Sequence, residues 1–154
     1  MTAKEYLQQV KLKGVVVANL QREKENIRQL MYSIGGGVGV ERVQTSRNND
    51  KFGTLYGRMD EKKSQIDEKL LELIEFKLKV SGEINGLNDA RYINLLYMRY
   101  MDFRSWDEIA VDMKYSTRHV LKVHKEALAA FEQKYHAMLQ QMVEETEEIG
   151  NGEN

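Results

Sequence analysis

One stretch of this chain leaves little freedom in how it can fold. Residues 105–128, SWDEIAVDMKYSTRHVLKVHKEAL, place apolar and small side chains at the intervals that two short crossing helices require. Counting Trp106 as the first position, Ile109, Met113, Tyr115, Val120 and Val123 take the fourth, eighth, tenth, fifteenth and eighteenth. Together they predict the small core of a helix-turn-helix. Ala110, at the fifth position, falls where the helices come closest, and a larger side chain there would displace the second helix.

The ends of both helices are marked. Ser105 followed by Glu108 is an S-x-x-E capping box, in which the hydroxyl accepts from the third helical amide and the carboxylate accepts from the cap amide. Ser116 predicts a cap for the second helix. Lys114 and Tyr115 must make the turn, and a left-handed Lys114 would carry a strain of roughly 1–2 kcal/mol.

With Val120 and Val123 turned inward, helical spacing leaves Thr117, Arg118, Leu121, Lys122 and Lys125 outward. From Met113 to Lys125 there are four cations and no acid. The whole chain carries a net charge of -1, from 23 basic and 24 acidic residues, so attraction to nucleic acid must come from such a local patch. A solvated cationic helix face is the plain alternative. The core spacing and the two caps favour DNA contact in a major groove.

Residues 92–131, YINLLYMRYMDFRSWDEIAVDMKYSTRHVLKVHKEALAAF, resemble region 4 of bacterial sigma factors. The likeness includes the L-x-x-R-Y helix before the helix-turn-helix and the A-L pair after it. A more specific resemblance is to ArpU-like and RinA-like late regulators of phages and prophages of Gram-positive bacteria. Those proteins join a sigma-region-4-like domain to a long helical N-terminal half. The opening MTAKEYLQQV and the V-E-R-V-Q-T-S segment at residues 40–46, followed by Asp50 and Lys51, carry that likeness. It covers most of residues 1–131 and implies late-gene transcriptional activation.

Carried over by position, the resemblance implies DNA contact by Thr117, Arg118, His119, Leu121 and Lys122. Leu121 stands where sigma factors often have arginine, and it could touch a thymine methyl. Arg118 suits bidentate reading of guanine, while Lys122 and Lys125 suit phosphate or a single base edge. Arg99 and Arg104 are expected as phosphate clamps, with an internal ion pair as the alternative for Arg99.

The rest of the chain reads as long helices. Proline is absent. Thr2 and Glu5 form another capping box, followed by Tyr6, Val10, Val17, Leu20, Ile27, Met31 and Ile34 at helical intervals. A second helix is expected over about residues 55–80, with Met59, Ile66, Leu70, Leu73 and Val80 on one side. Neither helix buries its stripe alone, which predicts an antiparallel hairpin, association between subunits, or both.

The glycines at 35, 36, 37 and 39 and the polar residues through Asp50 predict a linker. They lack the Gly-Lys-Ser/Thr ending of a phosphate-binding loop. Glycines 82 and 86 predict a second boundary, with Asn88 capping the next helix. The recognition helix is expected to continue through Tyr135, Leu139 and Val143. From Glu144 onward there are five glutamates and no cation, so fraying is expected.

With 154 residues, 42% hydrophobic and 31% charged, the chain can form one modest core plus extended helices. No apolar run approaches the roughly 18 residues of a membrane span. No signal-peptide pattern opens the sequence, and a location in the cytoplasm of a bacterial host is the simplest expectation. Cysteine is absent, which excludes disulfides, thiol catalysis and cysteine-held zinc. His119 and His124 are five residues apart, off the spacing that aligns two metal ligands on a helix. No nucleophile stands beside a recognisable base, so neither an enzyme nor a cofactor is expected.

The expected architecture is therefore all-α: a coiled-coil-like N-terminal helical hairpin over residues 1–84, with a Gly-rich linker at 35–50, and a sigma-region-4-like helix-turn-helix over 87–143. An acidic flexible tail over 144–154 completes it. The expected partners are double-stranded DNA, bacterial RNA polymerase and further copies of the chain as a homodimer or higher oligomer, with no membrane. A phage small terminase subunit that recognises packaging DNA, and a polymerase-binding decoy without DNA affinity, are the competing expectations.

Overall fold

A chain without proline can stop its helices only with glycine, caps or tertiary contacts, and here all three are used. The computed structural model describes residues 1–35 and 45–151. Among the described residues there are six helices and no strand: α1 (Ala3–Gly35), α2 (Thr45–Asn85), α3 (Ala90–Tyr100), α4 (Trp106–Met113), α5 (Thr117–Lys134) and α6 (His136–Asn151). The all-helical class read from the periodicity is what the chain adopts.

The chain divides into two compact units, and the division passes through both long helices. One unit comprises Met1–Leu12 and Glu75–Asn154; the other is Lys13–Ile74. The boundary expected near residues 84–87 is thus not where the units part. The physical reason is burial. Tyr6, Leu7 and Val10 of α1 and Val80 and Ile84 of α2 join Leu95, Leu96, Ile109, Val120, Val123 and Phe131 in one core. Each of these large side chains is worth about 1.5–3 kcal/mol on burial, so the first turns of α1 and the last of α2 belong to the C-terminal unit.

The start of α1 is fixed as its sequence predicts. The Thr2 amide donates to Glu5 Oε2 at 2.8 Å and the Glu5 amide donates to Thr2 Oγ1 at 3.2 Å. Tyr6 is fully buried, edge-on to Phe76 with ring centroids 5.4 Å apart, and its hydroxyl donates to Glu83 Oε2 at 2.8 Å. The Ala3 amide donates to Glu132 Oε1 at 2.9 Å, tying the helix start to α5.

In the unit Lys13–Ile74, Val17, Met31 and Ile66 are buried, and Lys62 pairs with Glu23 at 2.6 Å. Leu70, expected on the buried stripe, is 37% exposed, and Leu71 and Ile74 are more exposed still. The apolar surface of α2 here is wider than the side chains of the described residues cover.

Other boundaries differ from the sequence reading as well. Residues 36–44, with most of the glycine linker and the start of the 40–46 motif, lie outside the described residues. From Thr45 the chain is already helical through Asn48, Asn49 and Asp50, where a linker was expected. Such residues weaken a helix by well under the roughly 3 kcal/mol of a proline, and the length of α2 carries them. At the other end, α2 runs through Gly82 to Asn85. Asp89, not Asn88, then caps α3: its backbone is extended and its carboxylate accepts from the Arg91 amide at 2.8 Å. A carboxylate also suits the positive end of a helix dipole better than an amide.

The second helix of the candidate motif, α5, does not continue past Tyr135. That residue leaves helical geometry at φ -111 and ψ 23, between α5 and α6. Its hydroxyl donates to the Glu83 carbonyl at 2.8 Å, and Lys134 donates to the Gly86 carbonyl. A side chain at Gly86 would place its Cβ 2.5 Å from Tyr135 Oη, so any larger residue there would force the Tyr135 hydroxyl to shift. Beyond the break α6 is helical to Asn151, further than the acidic composition suggested. No helix among the described residues is long and apolar enough to cross a membrane.

Candidate nucleic-acid interface

The segment from Ser105 to α5 is fixed at each corner by its own side chains. The Ser105 amide donates to Glu108 Oε2 at 2.7 Å, and the Glu108 amide donates to Ser105 Oγ at 3.2 Å. The Ser105 amide, and after it the Ser105 hydroxyl, hold the Glu108 carboxyl below its usual range. Ser116 Oγ accepts from the His119 amide at 3.2 Å, capping α5. Between the helices Lys114 is left-handed, at φ 57 and ψ 41, and the Tyr115 amide donates to the Ala110 carbonyl at 3.0 Å. Thr117 Oγ1 adds a donation to Asp107 Oδ1 at 3.4 Å.

Beneath this frame, Ile109 and Val120 are fully buried, Val123 is 1% exposed and Ala110 6%. Met113 and Tyr115 are half-buried and pack against the same core. With Val120, Val123, Ala127 and Phe131 inward, α5 can present only its other side to solvent.

That side carries the residues singled out in the sequence. Thr117, Arg118, His119, Lys122 and Lys125 are exposed, and Leu121 is 41% exposed. Among the described residues, no carboxylate forms a salt bridge with Arg118, Lys122 or Lys125. His119 is steadied by its ring, which meets the edge of Tyr115 with centroids 4.5 Å apart.

The two flanking arginines are engaged within the protein. The Arg99 guanidinium lies 4.2 Å from the centroid of the Trp106 ring and donates to the Arg104 carbonyl at 2.9 Å. Arg104 approaches Asp112 Oδ1 at 3.5 Å and Met98 Sδ at 3.7 Å. Arg99 therefore fastens α3 to the start of α4, a cation–π contact rather than the ion pair expected as its alternative. Arg104 keeps 43% of its side chain exposed.

One residue gained a role that the sequence reading did not give it. His124 of α5 is buried, with Nε2 2.9 Å from Tyr100 Oη. Its ring stacks on Tyr100 and meets Trp106, with centroids 5.9 and 4.7 Å away. Burial, and then the positive charges of Arg99 and Lys4, push its pKa down to about 4. The neutral imidazole is a packing group beneath α5. Its place was readable from the inward series Val120, His124, Ala127 and Phe131, at intervals of four, three and four. Of the clustered tyrosines, Tyr100 is core, Tyr92 donates to Glu126 Oε2 at 3.3 Å, and Tyr97 is 37% exposed.

Among the described residues no group of three or more histidine, aspartate or glutamate side chains could hold a metal ion. No family model, curated protein or solved structure matches the chain.

Proposed function

We propose that this chain is a sequence-specific regulator that binds double-stranded DNA, of the phage or prophage late-gene activator kind, acting near a promoter with host RNA polymerase. In this reading α4 and α5 are a helix-turn-helix, and α5 enters the major groove. The observation that carries it is the two-sidedness of α5. One side is locked into the core by Val120, Val123, His124 and Phe131, while the other offers Arg118, Lys122 and Lys125 to solvent, with no salt bridge to a carboxylate among the described residues.

Each side chain then has a task suited to its chemistry. Arg118 presents a planar fork to a guanine edge, Leu121 an apolar surface to a thymine methyl, and Lys122 and Lys125 point charges to phosphates. Thr117 and His119, at the helix start, lie beside the incoming backbone. Arg104 reaches phosphate with its exposed portion, and Arg99 holds α3 and α4 at the angle that presents α5.

The long helices serve assembly. The Tyr6–Glu83 and Glu23–Lys62 pairs are those that antiparallel partners make, which supports a helical hairpin. Leu30, Tyr32, Leu71 and Ile74 are each between 47% and 80% exposed, and a further copy of the chain would cover such residues. The same feature suits a phage small terminase subunit, which would assemble as a ring on packaging DNA.

Transcription reconstituted with bacterial RNA polymerase, on templates with and without the site the protein selects, tests the reading. Site-dependent stimulation that Arg118→Ala abolishes supports it. A polymerase complex that forms equally without DNA supports the decoy instead, and a solution mass of many subunits without stimulation supports the terminase.

A further inference from the structure

We infer that Asp107 is a positioning residue for base recognition. Its carboxylate holds the hydroxyl hydrogen of Thr117, so that Thr117 meets the duplex as an acceptor and selects cytosine or adenine. This rests on the α5 reading and deepens it, because it assigns a base preference to one residue of that helix and brings in a residue of α4.

Thr117 opens α5 directly after its cap Ser116, and Asp107 lies in the first turn of α4, two residues after its cap Ser105. Each backbone is fixed by its own side chains. Ser105 and Glu108 exchange hydrogen bonds at 2.7 and 3.2 Å, and Ser116 Oγ accepts from the His119 amide at 3.2 Å. The turn between the helices, closed by the Tyr115 amide on the Ala110 carbonyl at 3.0 Å, then brings together two residues ten apart in the chain. There Thr117 Oγ1 donates to Asp107 Oδ1 at 3.4 Å. A carboxylate only accepts, so the direction of this bond is set.

Both residues are exposed, and among the described residues Asp107 forms no salt bridge. No cation of the protein therefore cancels the carboxylate at the start of α5. In a helix-turn-helix, that start is the part of the second helix that reaches the base edges.

A hydroxyl has one hydrogen and two lone pairs. With the hydrogen held by Asp107, Thr117 has nothing to donate to a phosphate oxygen, to guanine O6 and N7 or to thymine O4. Its lone pairs accept from the amines that adenine and cytosine present in the major groove. The carboxylate behind it acts in the same sense, favouring an amine and repelling phosphate and the acceptor edges. Attraction to two bases combined with repulsion of the other two makes one contact selective.

The test selects bound sequences from a random duplex library with the intact chain as wild type, Asp107→Asn, Thr117→Val and Thr117→Ser, the fold of each being checked by urea unfolding. The wild-type motif should contain a position, untouched by Arg118→Ala, at which adenine or cytosine is preferred over guanine or thymine by about threefold to tenfold. Asp107→Asn offers the hydroxyl a donor as well as an acceptor, so it should lose that preference while the rest of the motif stays. Thr117→Val should lose it too, and Thr117→Ser should keep it. Replacing the preferred base with its analogue lacking the exocyclic amine should weaken the wild type by the same factor and leave Thr117→Val unchanged, which a purely structural role for Asp107 does not predict. An Asp107→Asn motif identical to that of the wild type, or undiminished binding of the analogue, would overturn the inference. With Arg118→Ala still relaxing its own position, the α5 reading would then stand. A preference for guanine or thymine at the position that Thr117→Val relaxes would overturn the inference as well, and a wild type that selects no motif overturns both readings.

Discussion

Tyr100 and His124 meet through a 2.9 Å hydrogen bond between Oη and Nε2, joining α3 to the middle of α5 in the core. The helix that offers the cations is therefore held from behind by a neutral imidazole. A protonated ring in that place would be a buried charge beside Arg99 and Lys4.

Acid should loosen the protein through this group. The pKa of His124 falls from 6.5 when unfolded to about 4 in the fold, so between those values the unfolded chain binds the extra proton. Stability is unaffected by this group above pH 6.5 and declines as pH drops towards 4, by up to about 3 kcal/mol. Burial raises the Glu83 carboxyl instead, a contribution of opposite sign that favours the fold at low pH. Urea unfolding at pH 7 and pH 5 should show the loss in the wild type and a flatter dependence in His124→Gln.

Lys114→Gly should stabilise the fold. The left-handed backbone at φ 57 suits glycine. Relief of strain, less the extra freedom of an unfolded glycine, should yield a gain of up to about 1 kcal/mol. DNA affinity should fall slightly at low salt, because one cation is lost beside α5. A lower midpoint in chemical denaturation would contradict this account of the turn.

Gly86→Ala should destabilise by about 1–3 kcal/mol through conflict with Tyr135 Oη, 2.5 Å from the new Cβ. Tyr135→Phe alone removes the donation to the Glu83 carbonyl and should lose about 1 kcal/mol. In combination the two changes should be less harmful than their sum, since the phenylalanine no longer carries the obstructing oxygen. Additive losses would show that the hydroxyl is not what requires glycine.

Ala110→Leu should cost about 1–3 kcal/mol by overpacking the 6% exposed site between α4 and α5. Its effect on DNA affinity should exceed its effect on stability, because α5 is displaced even where the fold survives. Binding of wild-type strength in the folded variant would separate DNA contact from the α4–α5 geometry.

Local signals account for what the sequence disclosed. The caps at Thr2, Ser105 and Ser116 involve residues three apart, and the buried set Ile109, Ala110, Val120 and Val123 follows from period alone. The long-range arrangement was not legible. Periodicity shows which face of α1 is apolar but not that Tyr6, Leu7 and Val10 fill the core beside Phe131. The break at Tyr135 depends on a carbonyl 52 residues away. Asn88 and Asp89 are both good caps, and only the start of α3 chooses between them. At the candidate site, Arg99 and Arg104 read as phosphate clamps, with an internal ion pair as the alternative for Arg99, because Trp106 and Asp112 are brought to them only by folding.

The most direct test of the central claim is selection of bound sequences from a random duplex library, with the wild type, Arg118→Ala and Lys122→Ala. A reading face on α5 predicts a defined motif that Arg118→Ala relaxes at one or two positions, and that Lys122→Ala binds more weakly across all sequences. Enrichment of no motif, with the same weak binding in all three proteins, would contradict the claim that α5 reads DNA.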